Sequence, residues 1–278
     1  MRKKIIFIIL ICGIAIFGLV TYKDNEVKPV SNDGVSNGGD SLENKFKDKK
    51  YYIDKNLARY LKYYENHSDL SFDKIISDVN SNLDKTKYED VTETDLGKDT
   101  LMLVNKYYYL KDNYTPNDLV TLTDEYNIGK NNTMRKVAAD AFMEMSDAAL
   151  LDNISIKNAS AYRSYDYQVT LYNNYVAKDG KDAADTYSAR PGFSEHQTGL
   201  CTDINQINSG FEKTDAFMWL EKNAYKYGFV IRFPRDKEDI TGYSYESWHW
   251  RYVGKQAAKI IKNENLTLEE YYAYYVEK

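Results

Sequence analysis

KTDAFMWLEKNAYKYGFVIRF, residues 213–233, sets a helix signal directly against a strand signal. Thr214 or Asp215 can cap the start of a helix, and Gly228 stands where a helix commonly stops. FVIRF (229–233) then reads as a short strand. The same alternation extends to either side. NLARYLKYYENH (56–67) is the clearest helix of 51–130, a segment that otherwise reads as helices and turns. Met134, Val137, Ala138, Ala141, Met145 and Ala148 keep helical spacing and are expected to face a core. SAYRSYDYQVTLYNNYVAKDG (160–180) reads as an extended entry into a helix that ends near Gly180. LTLEEYYAYY (266–275) carries a capping box, Thr267 with Glu270, and Leu266 is placed to staple onto Tyr271. Helices interleaved with short strands predict an α+β domain, and no internal repeat is present.

The chain has 278 residues, enough for one large domain or two small ones with appendages. Apolar residues at 43% suffice for a core, and charged residues at 28% are ordinary. A net charge of −5 argues against a nucleic-acid partner, which calls for a basic face.

MRKK followed by IIFIILICGIAIFGLV (5–20) is a basic run before an almost wholly apolar one. A membrane span needs about 17–25 such residues, so this one is at the short end. No A-x-A-like cleavage site follows, which favours an uncleaved signal anchor at 1–22, although a cleaved signal peptide stays open. Residues 23–49 are polar and rich in Gly, Ser, Asn and Asp, the composition of a flexible linker. Cys12 lies in the apolar run and Cys201 far from it, so the exported domain has no intrachain disulfide.

Two windows carry metal-ligand chemistry: SEHQTGLCTDIN (194–205) and YESWHWRYVG (245–254). A catalytic zinc takes three protein ligands and keeps one position open. His196, Asp203 and His249 offer two imidazoles and one carboxylate, and Glu246 is the nearest candidate for a general base. Residues three apart in a regular strand point to opposite faces, so Glu246 and His249 share a site only if the chain bends. A turn just before Trp248, set by Gly242 and Ser244, is expected, and Gly199 lets the chain turn between His196 and Asp203. Blander readings stand beside these. Asp203 can cap a turn, Trp248 and Trp250 can be core, and His67 reads as a surface residue. A cysteine nucleophile, Cys201 activated by His196, is a rival chemistry, but Leu200 and Ile204 make its neighbourhood apolar, where a thiol is inert. A small core residue is the better reading of Cys201.

SAYRSYDYQ (160–168), ARPGFSEHQTGLCTDIN (189–205), YGFVIRFPRDKEDITGYSYESWHWRYVG (227–254) and LTLEEY (266–271) together resemble the VanY-type zinc D-alanyl-D-alanine carboxypeptidases. The resemblance covers roughly residues 50–275. It implies one Zn2+ per chain held by His196, Asp203 and His249, with Glu246 as the catalytic base. It further implies that Arg163 steadies the scissile carbonyl as it becomes an oxyanion, and that Ser194, Gln168 and Trp248 bind substrate. Cys201 departs from the family's pattern, where alanine is common.

The resulting expectation is an α+β fold, a small antiparallel sheet with surrounding helices carrying a single zinc site, preceded by an N-terminal transmembrane helix. Residues 50–130 would form an N-terminal helical portion and 131–278 the catalytic domain. The expected activity is removal of the C-terminal D-Ala from peptidoglycan stem peptides or their precursors. The alternatives are an L,D-carboxypeptidase trimming tetrapeptide stems to tripeptides, or a non-catalytic wall-binding module of the same fold. The expected location is the cell membrane, single-pass through 5–22, with the catalytic domain extracytoplasmic.

Overall fold

The computed structural model of the chain describes residues 41–277. Their strands are β1 (Thr92–Glu93), β2 (Tyr108–Tyr109), β3 (Leu119–Thr121), β4 (Asn127–Asn131), β5 (Thr133–Arg135), β6 (Asn158–Ser160), β7 (Cys201–Ile204), β8 (Phe229–Phe233) and β9 (Glu246–Tyr252). The principal sheet has the order β4-β6-β7-β9-β8. β6, β7, β9 and β8 are antiparallel neighbours, but the edge strand β4 runs parallel to β6. The expectation of a small antiparallel sheet is therefore corrected to a mixed one within an α+β fold. A crossover containing the helix Lys136–Leu151 joins β4 to β6, and a connection of that length lets two strands run the same way. NIGKN has no alternation to mark it as a strand. Its fit to the sheet comes from Gly129, where a Cβ would lie 1.7 Å from the carbonyl oxygen of Ala159. β1 pairs parallel with β2, and β3 antiparallel with β5, so segment 51–130 holds strand pieces besides its expected helices and turns.

The core is built against one stripe of the helix Lys136–Leu151. Ala138, Ala141, Phe142, Met145 and Ala149 are buried there, and they pack with Phe211, Leu220, Phe229 and Trp250. This moves the expected stripe by part of a turn: Val137 is exposed and Ala148 half-buried, while Met134 faces the core as expected but from β5. Neighbouring alanines at 138, 139, 141, 148 and 149 blur the apolar edge, so Phe142 and Met145 fix the true face.

Local chain signals act as read. Thr214 caps the helix Asp215–Asn223 by accepting the Phe217 N–H at 3.2 Å, and β8 follows Gly228 directly. Thr267 and Glu270 close both bonds of their capping box. Ser164 caps the helix Tyr165–Asp179, which ends at Gly180. Ordered packing begins earlier than the expected linker boundary at 49. Ser41 caps a helix Leu42–Lys47, whose Phe46 is buried among Tyr60, Ile75, Ile76 and Val79.

The expected signal anchor (1–22) and most of the linker lie outside the described residues. Among the described residues no helix is long and apolar enough to cross a membrane. The single-pass membrane localisation is corrected accordingly.

Candidate metal centre

His196 and Asp203 meet through a tight reversal. Glu195–Thr198 forms one 3-10 turn, Gly199 closes it at φ 66°, and β7 begins at Cys201. The left-handed backbone angle favours glycine there, and a Cβ would also lie a tight 3.2 Å from the Arg135 backbone nitrogen. Pairing of β7 with β9 then sets Asp203 opposite His249. Residues far apart in sequence thus become neighbours through strand register.

The two histidines present different nitrogens. His196 Nδ1 lies 2.6 Å from the Ala161 carbonyl oxygen, which leaves Nε2 facing Asp203 Oδ2 at 3.6 Å. His249 is turned the other way, with Nδ1 3.1 Å from Asp203 Oδ1 and 3.7 Å from Glu246 Oε2. The rings meet edge to face at 4.9 Å. Asp203 Oδ1 is buried without a hydrogen-bond partner despite its closeness to the ring. A buried carboxylate with one oxygen left unpaired, set beside two ring nitrogens, is a donor set suited to a divalent cation.

Cys201 complicates the donor set, because its Sγ and one nitrogen of each histidine lie within 4.8 Å of one another. Electrostatics favours Asp203 over the thiol. Burial pushes the Cys201 thiol up, keeping it neutral. Burial also opposes charge on Asp203, yet the Arg163 guanidinium and the neighbouring His249 hold its carboxyl well below the usual range. The same burial makes Cys201 inert as a nucleophile, which leaves the cysteine-hydrolase reading without a reactive group.

Burial, then the Arg163 charge, pushes His196 down to about 3, so its imidazole is neutral at pH 7. Burial opposes a proton on His249 too, but its acidic neighbours Asp203 and Glu195 hold its pKa well above the ordinary value. A cation must therefore displace that proton. Metal affinity is expected to rise with pH around neutrality, with proton release on binding. Calorimetry in two buffers of different ionisation enthalpy measures it, and an absence of proton release would contradict the assignment.

Glu246 reaches the same site by a bulge. β9 is continuous from 246 to 252, but Ile231 pairs with Trp250 and Phe233 with Glu246, so β9 carries extra residues in between. The expected turn before Trp248 is corrected to this bulge, pinned by the Trp250 Nε1–H donating to the Ser247 carbonyl at 3.0 Å. Gly242 instead ends the short helix Glu238–Thr241. Burial raises Glu246 to about 7.

Arg163 donates from Nη2 to Asp203 Oδ2 at 2.6 Å and from Nε to Ser160 Oγ at 3.0 Å. Its partner in this structure is thus the acid at the centre of the site. Arg163, Glu246, Ser194, Gln168 and Trp248 all line one cavity of about 630 Å³ that also reaches His196, Asp203 and His249. Gln168 Nε2 donates to the Ala189 carbonyl at 2.7 Å, while its buried Oε1 has no partner. His67 stacks on Tyr63, away from this group.

Beneath the site lies a charge cluster that sequence reading missed. Glu195 Oε1 accepts from Arg232 Nε at 2.7 Å and from Arg251 Nη1 at 2.8 Å. Arg232 also makes a two-pronged pair with Glu269, and Arg251 Nη2 donates to the carbonyls of Thr100 and Met102. All four charged side chains are buried. The available signal was an arginine inside an otherwise apolar strand, FVIRF, and another two residues after His249, on the same face. Arg232→Met is expected to destabilise the fold by about 3–5 kcal/mol, because it leaves buried Glu269 without its charged partner and Glu195 with one guanidinium instead of two. Urea unfolding measures it, and a loss under 1 kcal/mol would mean that the cluster is dispensable.

Residues 131–255 match the family profile described as VanY, D-alanyl-D-alanine carboxypeptidase. A relative from Bacillus subtilis (strain 168), the putative carboxypeptidase YodJ, is 49% identical over 181 residues, 62% of this chain and 66% of that one. The chain spans 66%, 64% and 51% of the length of three curated relatives. Among solved structures, the LdcB LD-carboxypeptidase is 44% identical with a TM-score of 0.63, covering 68% of this chain and 92% of that one. A VanY D,D-pentapeptidase from a VanB-type vancomycin-resistance cassette, in complex with Zn(II), is 36% identical with a TM-score of 0.54, covering 62% and 98%. On this profile match and these identities, the chain belongs to the VanY family of D-alanyl-D-alanine carboxypeptidases.

Proposed function

We propose that this chain is a zinc carboxypeptidase that removes the C-terminal D-Ala from peptidoglycan stem peptides. The observation that carries the proposal is the convergence of His196, Asp203 and His249 beside Glu246 at one cavity. The zinc-bound VanY relative supports the choice of metal. We assign His196 Nε2, Asp203 and His249 Nδ1 as the ligands, within a catalytic portion spanning 131–278 that residues 50–130 buttress. When bound, zinc polarises a carbonyl and makes water acidic enough to attack near neutral pH.

The chain's own residues supply the rest. Glu246 Oε2 takes a proton from the attacking water and returns it to the departing amine of D-Ala, a task suited to a carboxylate raised towards neutrality. Arg163 offers a fixed positive charge to the carbonyl oxygen as it becomes an oxyanion. Gln168 Oε1, buried and unpartnered, is an acceptor for a substrate N–H. Ser194 offers a hydroxyl in the same wall, and Trp248 an apolar face.

A second reading, cleavage of the L,D-bond of a tetrapeptide stem, is favoured by the likeness to the LdcB LD-carboxypeptidase. Mass spectrometry of products from synthetic pentapeptide and tetrapeptide stems tests both. Loss of one alanine from the pentapeptide, blocked by a chelator, is the expected result. Loss from the tetrapeptide alone selects the second reading, and loss from neither refutes the proposal.

A further inference from the structure

His249 has two ring nitrogens, and the proposed chemistry uses only Nδ1. The other, Nε2, is buried and makes no hydrogen bond, and so is Glu195 Oε2, which lies 3.6 Å from it. These two orphaned atoms face each other. Glu195 sits next to one proposed ligand, His196, in sequence and against another, His249, in space. We propose that Glu195 is a positioning residue: its Oε2 accepts the Nε2–H of His249, fixing the tautomer that leaves the Nδ1 lone pair for the metal.

Three observations carry this. First, Glu195 cannot rotate freely, because its Oε1 is held by two buried guanidiniums, Arg232 and Arg251. Arg232 is in turn clamped by Glu269, and Arg251 by Thr100 and Met102. Oε2 is thus aimed at the ring from a rigid base. Second, the carboxylate has its counter-charges built in: two buried guanidiniums, Arg232 at 2.7 Å and Arg251 at 2.8 Å, stand against it. Third, the competing acceptor is weak. Cys201, close to His249, offers only a sulfur, which accepts a hydrogen bond weakly. His196 has its own counterpart in the Ala161 carbonyl, so each histidine would have one nitrogen fixed by the protein and the other presented to the metal.

The inference rests on the zinc reading above, and its test separates the two. Glu195→Gln keeps an oxygen for Arg232 and Arg251 but turns an N–H donor towards His249 Nε2. The donor would favour the opposite tautomer, with the proton on Nδ1. With only three histidines, ¹⁵N-labelled imidazole spectra of the zinc-loaded chain resolve which nitrogen carries the proton. The wild type is expected to show His249 with Nε2–H, and Glu195→Gln to lose about 10–100-fold in zinc affinity by chelator competition. Glu269→Gln, which perturbs the same cluster without touching His249, should alter stability but leave zinc affinity within twofold. A wild type that binds zinc with His249 carrying its proton on Nδ1 overturns the inference, even if Glu195→Gln fails to fold. So does a folded Glu195→Gln protein with unchanged affinity, or a loss as large in Glu269→Gln. A wild type that takes up no zinc overturns the zinc reading itself, and the inference with it.

Discussion

Replacing Glu246 with alanine is expected to lower turnover of a D-alanyl-terminated stem peptide by about 10²–10⁴-fold while zinc content stays near one ion per chain. The reasoning separates a base from a ligand. Glu246 Oε2 stands 3.7 Å from His249 Nδ1, at the edge of the ligand group, whereas Asp203 lies between the two rings. Removing an edge carboxylate leaves the donor set intact but leaves no group to carry a proton from water to the leaving amine. Burial raises Glu246 to about 7 in the metal-free protein, so the carboxylate form is half populated near neutrality and grows with pH. A divalent charge nearby favours the ionised form, so zinc should move this midpoint downward. A ¹³C-carboxyl titration with and without zinc follows it. The acidic limb of kcat/KM should then track the zinc-loaded midpoint, rising with pH. Equal turnover in Glu246→Ala and wild type would remove Glu246 from the mechanism, and parallel loss of zinc would make it a ligand.

How much of this was legible beforehand varies with the range of the interaction. Thr214, Gly228, Ser164 and the Thr267–Glu270 box declare themselves within a few residues, and the ordered elements follow them. The ligand candidates were legible because their residue types are scarce: with three histidines in the chain, two windows carry all the metal chemistry. The β9 bulge was partly legible, since Glu246 and His249 cannot share a face in a regular strand. Its position was not, because it depends on how β8 pairs. The parallel strand β4 was invisible, because Asn127–Asn131 owes its place to the missing Cβ of Gly129 against Ala159 rather than to apolar alternation. Glu195, Arg232, Arg251 and Glu269 look like surface charges one at a time. Only tertiary packing shows that they neutralise one another, and a single sequence does not encode that pairing in any local pattern.

Asp203→Asn is expected to weaken zinc binding by more than the 10–100-fold typical of losing a partner that merely orients a ligand, because it removes the only carboxylate between the two rings. The substitution keeps volume and shape, so it tests charge rather than packing. It also leaves the Arg163 guanidinium, now bonded to Asp203 Oδ2, facing a neutral amide in a largely buried place. A positive charge left unpaired there repels a cation, which adds to the loss of the ligand itself. The alternative donor set, His196 with Cys201 and His249, gives the opposite ordering. If the sulfur were the third ligand, Cys201→Ala would lose zinc and Asp203→Asn would keep much of it. Burial holds the thiol neutral, whereas Arg163 and His249 hold Asp203 ionised. Cys201→Ala should therefore bind zinc within a few-fold of the wild type and remain active. Chelator-competition titrations of the two variants side by side decide between carboxylate and thiolate. A Cys201→Ala chain stripped of zinc would replace Asp203 with Cys201 in the ligand set.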